Sequence, residues 1–259
     1  MNAVPDFLEY IETISGNAPT FANARAAEAL KSFTVARIGV GRSGSRPLLK
    51  EILKFRADHA AALDTIYDFV DEDLIDRHDC LKVQTLVRNK EEYLVRPDLG
   101  RRLQDQYLNS LRDSYGQGEK VLLVVGDGLS ANAIESNLDD ILPSLRISLQ
   151  MHDINPSRPI FVKFSRVAVM DHIGEILRPE TVILLIGERP GLISSKSMSA
   201  YLCYRPHIGT IESDRNVVSN IHQGGIPPLE AGAVIADLIH TFIEYGASGV
   251  NLKNLDKQA

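Results

Sequence analysis

The chain has 259 residues, enough for one large or two smaller domains, and its 44% hydrophobic and 24% charged residues suit a globular protein with a proper core. A formal net charge of −6, with no long block of Lys and Arg, supplies no basic field for nucleic acid or an anionic membrane. Two cysteines, Cys80 and Cys203, stand far apart without CxxC spacing; neither a disulfide framework nor a zinc site is expected, and a reducing cytoplasm is the expected compartment. No apolar run approaches the ~18–20 residues that span a bilayer, and Asp6, Glu9 and Glu12 stand where an export signal would be basic.

In chain order, PDFLEYIETI (residues 5–14) places Phe7, Leu8, Ile11 and Ile14 on one side of a helix, either a docking segment or a terminal helix folded onto the body. SGNAPT interrupts the pattern, and FANARAAEALKSF resumes a helical one. Gly39, Gly41 and Gly44 have the spacing of a dinucleotide fingerprint, but Arg37 breaks the preceding apolar run and Pro47 follows closely. Arg37, Arg42 and Arg46 among glycines describe instead a basic loop, either solvated or able to take an anion. Residues 48–69 read as a long helix with Leu49, Ile52, Leu53, Ala60, Leu63, Ile66 and Tyr67 on its apolar side. His59 beside Asp58 lacks a second ligand at metal spacing and reads as structural or interfacial. DCLKVQTLV and residues 101–115, after a Pro97-Asp98 start, read as two further helices.

At Gly116 the composition changes, which predicts an α/β fold in two parts: a mostly helical N-terminal domain (residues 1–116) and a mostly parallel sheet domain with flanking helices (residues 117–259). Residues 121–125 form a buried-strand run, Gly126-Asp127-Gly128 a tight turn, and residues 129–142 an amphipathic helix. Gly126, Gly128 and Ala131 repeat the dinucleotide spacing in a better context. No acid stands at the end of a second strand to hold a ribose, and glycines at a strand-to-helix turn also serve close packing. Ser130 lacks the G-x-S-x-G surroundings of a nucleophile. Residues 159–164 predict a strand and residues 166–177 a helix. Residues 182–186 predict a strand buried on both faces, and that order implies a parallel sheet. Arg166 and Val167 then lie at a helix start, where the dipole favours acceptor groups. The run 182–186 stops at Gly187, Glu188, Arg189, Pro190 and Gly191, a polar loop at the carboxyl end of a strand, where open α/β sheets bind ligands. A fourth strand is expected over residues 200–204, and a long helix opens on Pro227-Pro228 with Leu229, Val234, Leu238, Ile239 and Phe242 on one face.

Five stretches in order, ARIGVGRSGSRP, FRADHAAALD, VGDGLSA, GERPGL and DRNVVSNIHQGGIPPLEA, together resemble the small subunit of adenosylcobalamin-dependent ethanolamine ammonia-lyase. The resemblance covers most of residues 33–250 and implies a helical N-terminal region followed by a Rossmann-like domain. It also implies that a large subunit holds ethanolamine and carries the radical chemistry that yields acetaldehyde and ammonia. This chain would help enclose the cofactor at their interface, within a higher hetero-oligomer of such pairs. Catalytic residues and metal ligands are then expected to be absent here. Carried over residue by residue, the cobalamin contacts fall on Val167, beside Arg166, on Glu188 and on Val217, where the family often has Cys; Val217 offers backbone or apolar contact only. The D-x-H-x-x-G signature is missing, because Asp171-His172-Ile173-Gly174 has the wrong spacing. The cofactor is expected to keep its own base on cobalt, and His172 to sit on a helix surface. The resemblance further implies a cytoplasmic enzyme, or one inside a bacterial microcompartment, to which the N-terminal part of this subunit can direct it in the family; the sequence leaves open whether residues 1–16 do so here. A stand-alone nucleotide enzyme and a non-catalytic assembly protein are the other readings.

Overall fold

The computed structural model describes residues 24–34, 36–191 and 195–256, and the amphipathic segment expected over residues 5–14 lies outside them. The chain groups into two units, one of Met1–Asp64 with Gly191–Ser194 and one of Thr65–Pro190 with Ser195–Ala259.

In the first unit, helix α1 (Ala24–Ser32) forms from the alanine-rich stretch, whose side chains lose little entropy in a helix. Strands β1 (Arg42–Ser43) and β2 (Arg46–Pro47) pair antiparallel around Gly44, whose φ of 61° the turn requires. The first glycine motif is therefore a hairpin and not a strand-to-helix turn. Arg37 is already engaged, paired with Asp58 and lying 5.2 Å from the Phe55 ring centroid. Helix α2 (Leu49–Tyr67) starts in this unit, and Leu49, Leu63 and Tyr67 of its expected apolar side are exposed.

The second unit is built on a six-stranded sheet whose strands, from edge to edge, are Leu81–Gln84 (β3), Ile160–Lys163 (β5), Val121–Gly126 (β4), Thr181–Gly187 (β6), Met198–Tyr204 (β7) and Arg215–Ile221 (β8). Strands β4 (Val121–Gly126), β5 (Ile160–Lys163) and β6 (Thr181–Gly187) run parallel, as the strand-helix-strand order predicts, with β4 and β6 in register from Val121 and Thr181 to Gly126 and Ile186. Their residues alternate between two cores. Leu123, Val125, Ile183 and Leu185 point to one side of the sheet, and Leu122, Val124, Val182 and Leu184 to the other. Burial on both faces is why these runs are continuously apolar.

Helices α6 (Ala131–Met151) and α8 (Pro228–Tyr245) cover the first side; α5 (Leu108–Ser114) and α7 (Val169–Leu177) cover the second. Of the face expected to be buried on α8, Ile239 and Phe242 are buried as expected, whereas Leu229 and Val234 are exposed and Ala231, Ile235 and Ala236 are buried in their place. Small residues mark this contact because α8 comes so close to α6 that a Cβ on Gly232 would lie 2.6 Å from Ser144 Oγ. Leu238 is partly buried against the same core.

Two strands depart from the sequence expectation. DCLKVQTLV, expected to be helical, contains strand β3 (Leu81–Gln84), which pairs parallel with β5 at the sheet edge. The sheet thus takes a strand from before residue 117, where its domain was expected to begin. The expected strand over residues 200–204 is β7 (Met198–Tyr204), antiparallel to β6, and it carries an unexpected antiparallel edge strand, β8 (Arg215–Ile221). Helices α3 (Glu72–Arg77), α4 (Lys90–Val95) and α9 (Gly249–Asp256) complete the unit. The expected helix over residues 101–115 is realised as short helical turns followed by α5. Among the described residues, no helix is long and apolar enough to cross a membrane.

Candidate functional site

The turn after β4 fixes the carboxyl edge of the sheet. Asp127 is buried, and its Oδ2 accepts from Phe164 N at 2.8 Å and its Oδ1 from Ser165 N at 2.9 Å, across the gap between β4 and β5. Because α6 follows β4 on one side and α7 follows β5 on the other, this gap is the switch point where open sheets place their crevices. Phe164 has φ 58°, a costly conformation for a bulky residue, and neighbours hold it there. Thr85 Oγ1 donates to Phe164 O at 3.0 Å and the Tyr93 hydroxyl donates to Ser165 O at 2.7 Å. Burial pushes the Asp127 carboxyl up, while Lys90 and the N–H groups of Phe164, Ser165 and Gly128 pull it back. Lys90 Nζ is itself buried without a hydrogen-bond partner, 5.1 Å from the Phe69 ring centroid, and burial holds its pKa below the usual lysine value.

The loop so fixed delivers Arg166 and Val167. Arg166 N donates to Gly100 O at 2.9 Å, Arg166 Nη2 donates to Tyr93 O at 2.7 Å, and the guanidinium lies 4.1 Å from the Tyr93 ring centroid. Gly100 permits this approach, since a Cβ there would lie 2.6 Å from Arg166 Cγ. Arg166 Nε is left buried without a hydrogen-bond partner among the described residues.

Glu188 reaches the same place from the end of β6. Its carboxylate accepts from Ser197 Oγ at 2.7 Å, from Ser199 Oγ, and from Asn220 N at 3.1 Å, which joins the ends of β6, β7 and β8. Burial would raise its pKa, but the Ser199 and Ser197 hydroxyls, Asn220 N–H and nearby His222 outweigh it, so the group is held below its ordinary value of 4.5. A lowered carboxyl pKa means that its stabilisation is complete above the unfolded value and fades as pH falls through the folded one. Glu188→Gln is therefore expected to flatten the loss of stability below pH 4.5 in acid titrations followed by circular dichroism.

Arg166, Val167, Glu188 and Tyr201 line one cleft of about 190 Å³ at the carboxyl edge of the parallel strands, with Leu129 and Ile186 as apolar wall. Val217, the fourth residue expected there, is 47% exposed on β8 and pairs with Tyr201 across the strands. Three of the four expected residues thus share a cleft, and the fourth adjoins its rim. Glu188 does more than the sequence suggested, because three internal donors already occupy it.

Ser130 is the N-cap of α6, accepting from Ala133 N at 3.1 Å and donating to Ser195 O at 2.6 Å, a structural role. The second glycine spacing is likewise packing: a Cβ on Gly128 would lie 2.2 Å from Gly187 O. His172 is a correction, for it is half-buried, and its Nδ1 accepts from Leu103 N at 3.0 Å and ties α7 to the preceding loop. Sequence reasoning missed Asp127, Lys90 and Tyr93 as the supports of the cleft. The one local signal was an acid between two glycines at a strand end.

Fold and cleft define a mixed α/β protein that presents polar side chains at the edge of a mostly parallel sheet. A family model for ethanolamine ammonia-lyase light chain (EutC) matches residues 24–253. The ethanolamine ammonia-lyase small subunit of Clostridioides difficile (strain 630) is 48% identical over 234 residues, covering 89% of this chain and 80% of that one. Small subunits from Listeria monocytogenes and Lachnoclostridium phytofermentans are 49% and 47% identical over 224 residues, each match covering 86% of this chain and 76% of theirs. The chain belongs to the ethanolamine ammonia-lyase light chain family.

Proposed function

We propose that this chain is the small subunit of an adenosylcobalamin-dependent ethanolamine ammonia-lyase and helps hold the cofactor against a catalytic large subunit. The carrying observation is the convergence of Arg166, Val167 and Glu188 on one cleft, with Val217 paired to its wall residue Tyr201. The residues fit the group. A corrin is fringed with amides, which need both donors and acceptors, and the cleft has the orphaned Arg166 Nε to donate. Glu188 can accept once more, because a carboxylate has about four lone-pair sites and three are in use. Val167 and Leu129 exclude water beside these groups.

When bound, the cofactor supplies the adenosyl radical that abstracts hydrogen from ethanolamine on the way to acetaldehyde and ammonia. The residues of this chain bind and orient. Glu188 stays ionised at neutral pH because its donors hold its pKa down, so it accepts hydrogen bonds and is a poor general acid. Burial first, then the Glu212 and Glu188 charges, raise the Tyr201 hydroxyl pKa, so it remains a neutral donor. The same reading places the subunit in large/small pairs within a higher assembly, in the cytoplasm or in a microcompartment. Deleting residues 1–16 would then change encapsulation while activity persists.

Co-expression with a large subunit, assayed for acetaldehyde from ethanolamine with and without adenosylcobalamin, tests the reading directly; a stable complex without cofactor-dependent activity sinks it. Within an active complex, Glu188→Ala is expected to weaken cobalamin binding about tenfold, the cost of one charge-assisted hydrogen bond, and Glu188→Gln less. Unchanged affinity in equilibrium dialysis would remove Glu188 from the contact.

A further inference from the structure

On the outer side of α7 a second cleft, of about 270 Å³, opens between the helical turn Leu99–Arg101 and the loop before β8. Arg101, Arg102, His172 and Arg215 line it. Arg101 and Arg102 are exposed, and neither guanidinium has an ion-pair or hydrogen-bond partner among the described residues. Since His172 Nδ1 accepts from Leu103 N, the neutral imidazole carries its proton on Nε2, which is the donor left over. At the base, Arg215 has a side chain only 1% exposed. Its Nη2 is held by Asp171, its Nη1 lies 2.9 Å from Glu212 Oε2 without hydrogen-bonding alignment, and its Nε has no partner.

We propose that this cleft binds a phosphate group, free or esterified, between the Arg101 and Arg102 guanidiniums and His172 Nε2–H. Asp171 and Glu212 also line the cleft and both face Arg215, so its three arginines exceed its two carboxylates by one positive charge, carried on the exposed pair Arg101 and Arg102. Planar guanidinium forks match the oxygens of a phosphate, and one neutral N–H donor completes a three-sided cradle. Burial first, and then the Arg102 charge, hold His172 below the usual histidine pKa against the opposing pull of Asp105 and Glu175. An anion seated beside Arg102 would relieve that repulsion. The site is separate from the proposed cobalamin contacts, because Arg166 and Val167 line the other cleft.

Calorimetric titration of the full-length chain with inorganic phosphate tests the proposal, with dimethyl phosphate as a second arm and chloride at matched ionic strength as control. Saturable binding is expected, weakened about tenfold by Arg101→Ala and by Arg102→Ala, each removing one charge-assisted contact. Both arginines are exposed, so the variants should fold. Tighter binding of inorganic phosphate would identify a free or terminal phosphate, and equal binding of dimethyl phosphate a phosphodiester. In nuclear magnetic resonance spectra the His172 Nε2 signal should shift with saturation. Absence of saturation, affinity unchanged when Arg101→Ala and Arg102→Ala are combined, or equal competition by chloride overturns the site.

Discussion

Asp127→Ala is expected to lower the free energy of unfolding by about 3–5 kcal/mol, a large fraction of the stability of a domain. Three buried N–H groups, those of Phe164, Ser165 and Gly128, lose their acceptor together. Leaving one buried donor unsatisfied costs about 1–3 kcal/mol, and water entering the space recovers only part of three such losses. Phe164 would also be released from its left-handed φ, and with it the approach of Arg166 to Tyr93. Asp127→Asn keeps one acceptor but turns an amide N–H₂ toward a donor, so a smaller loss of about 2 kcal/mol is expected. The chain has no tryptophan, so urea unfolding is best followed by circular dichroism or tyrosine fluorescence. A loss below about 1 kcal/mol for the alanine variant would show that the three N–H groups find other partners. Because the damage falls on the loop that carries Arg166 and Val167, the proposed cobalamin contact should weaken alongside stability.

What sequence made legible follows from how each element is buried. Strands β4 and β6 are covered on both faces, so their apolar runs stand out, and the polar stop at Glu188 follows directly. Strand β3 lies at the edge, and its Lys82 and Gln84 suit a half-covered face, so LKVQ lacks that signal and passes for a helix. Strand β8 hides for the same reason: Asn216, Val217, Ser219 and Asn220 are not buried. On α8 bulk marks burial only in part: Ile239 and Phe242 are buried, but close approach to α6 selects Ala231, Gly232 and Ala236 where the larger Leu229 and Val234 are exposed. In the cleft, Arg166, Val167 and Glu188 could be named from family likeness together with their places at strand ends. Their supports could not, since Ser197, Ser199 and Asn220 meet Glu188, and Thr85 and Tyr93 meet the Phe164–Ser165 backbone, only after distant strands and helices pack.

The buried pair of Asp171 and Arg215 gives the second large effect, and its two halves should behave differently with pH. Arg215 Nη2 donates to Asp171 Oδ1 at 2.8 Å and Oδ2 at 2.6 Å, which joins the first turn of α7 to the start of β8. Burial disfavours the Arg215 charge, but Asp171 outweighs this and raises the guanidinium above its usual value. Breaking such a pair by removing one partner costs about 3–5 kcal/mol, because the other charge stays buried. Asp171→Ala strands a guanidinium that cannot lose its proton and whose remaining partner, Glu212, is exposed and well screened. The stranded arginine does not titrate between about pH 4 and pH 8, so the variant gains no proton linkage of its own there, and its deficit changes only as the parent's Asp171 titrates, growing toward low pH. Arg215→Met instead strands a carboxyl that can take a proton. Burial already holds the Asp171 pKa above its ordinary value against the pull of Arg215, and removing the cation raises it further, so the folded state binds the extra proton and stability falls as pH rises through that window. The Arg215→Met deficit should therefore shrink toward pH 4 and approach the full about 3–5 kcal/mol at neutral pH. Replacing both, Asp171→Leu with Arg215→Met, leaves no stranded charge and should recover most of the loss, since well-packed apolar substitutes for a buried pair are often neutral or stabilising. A double variant no more stable than either single one would mean that the pair positions α7 against β8 through geometry that apolar packing cannot replace.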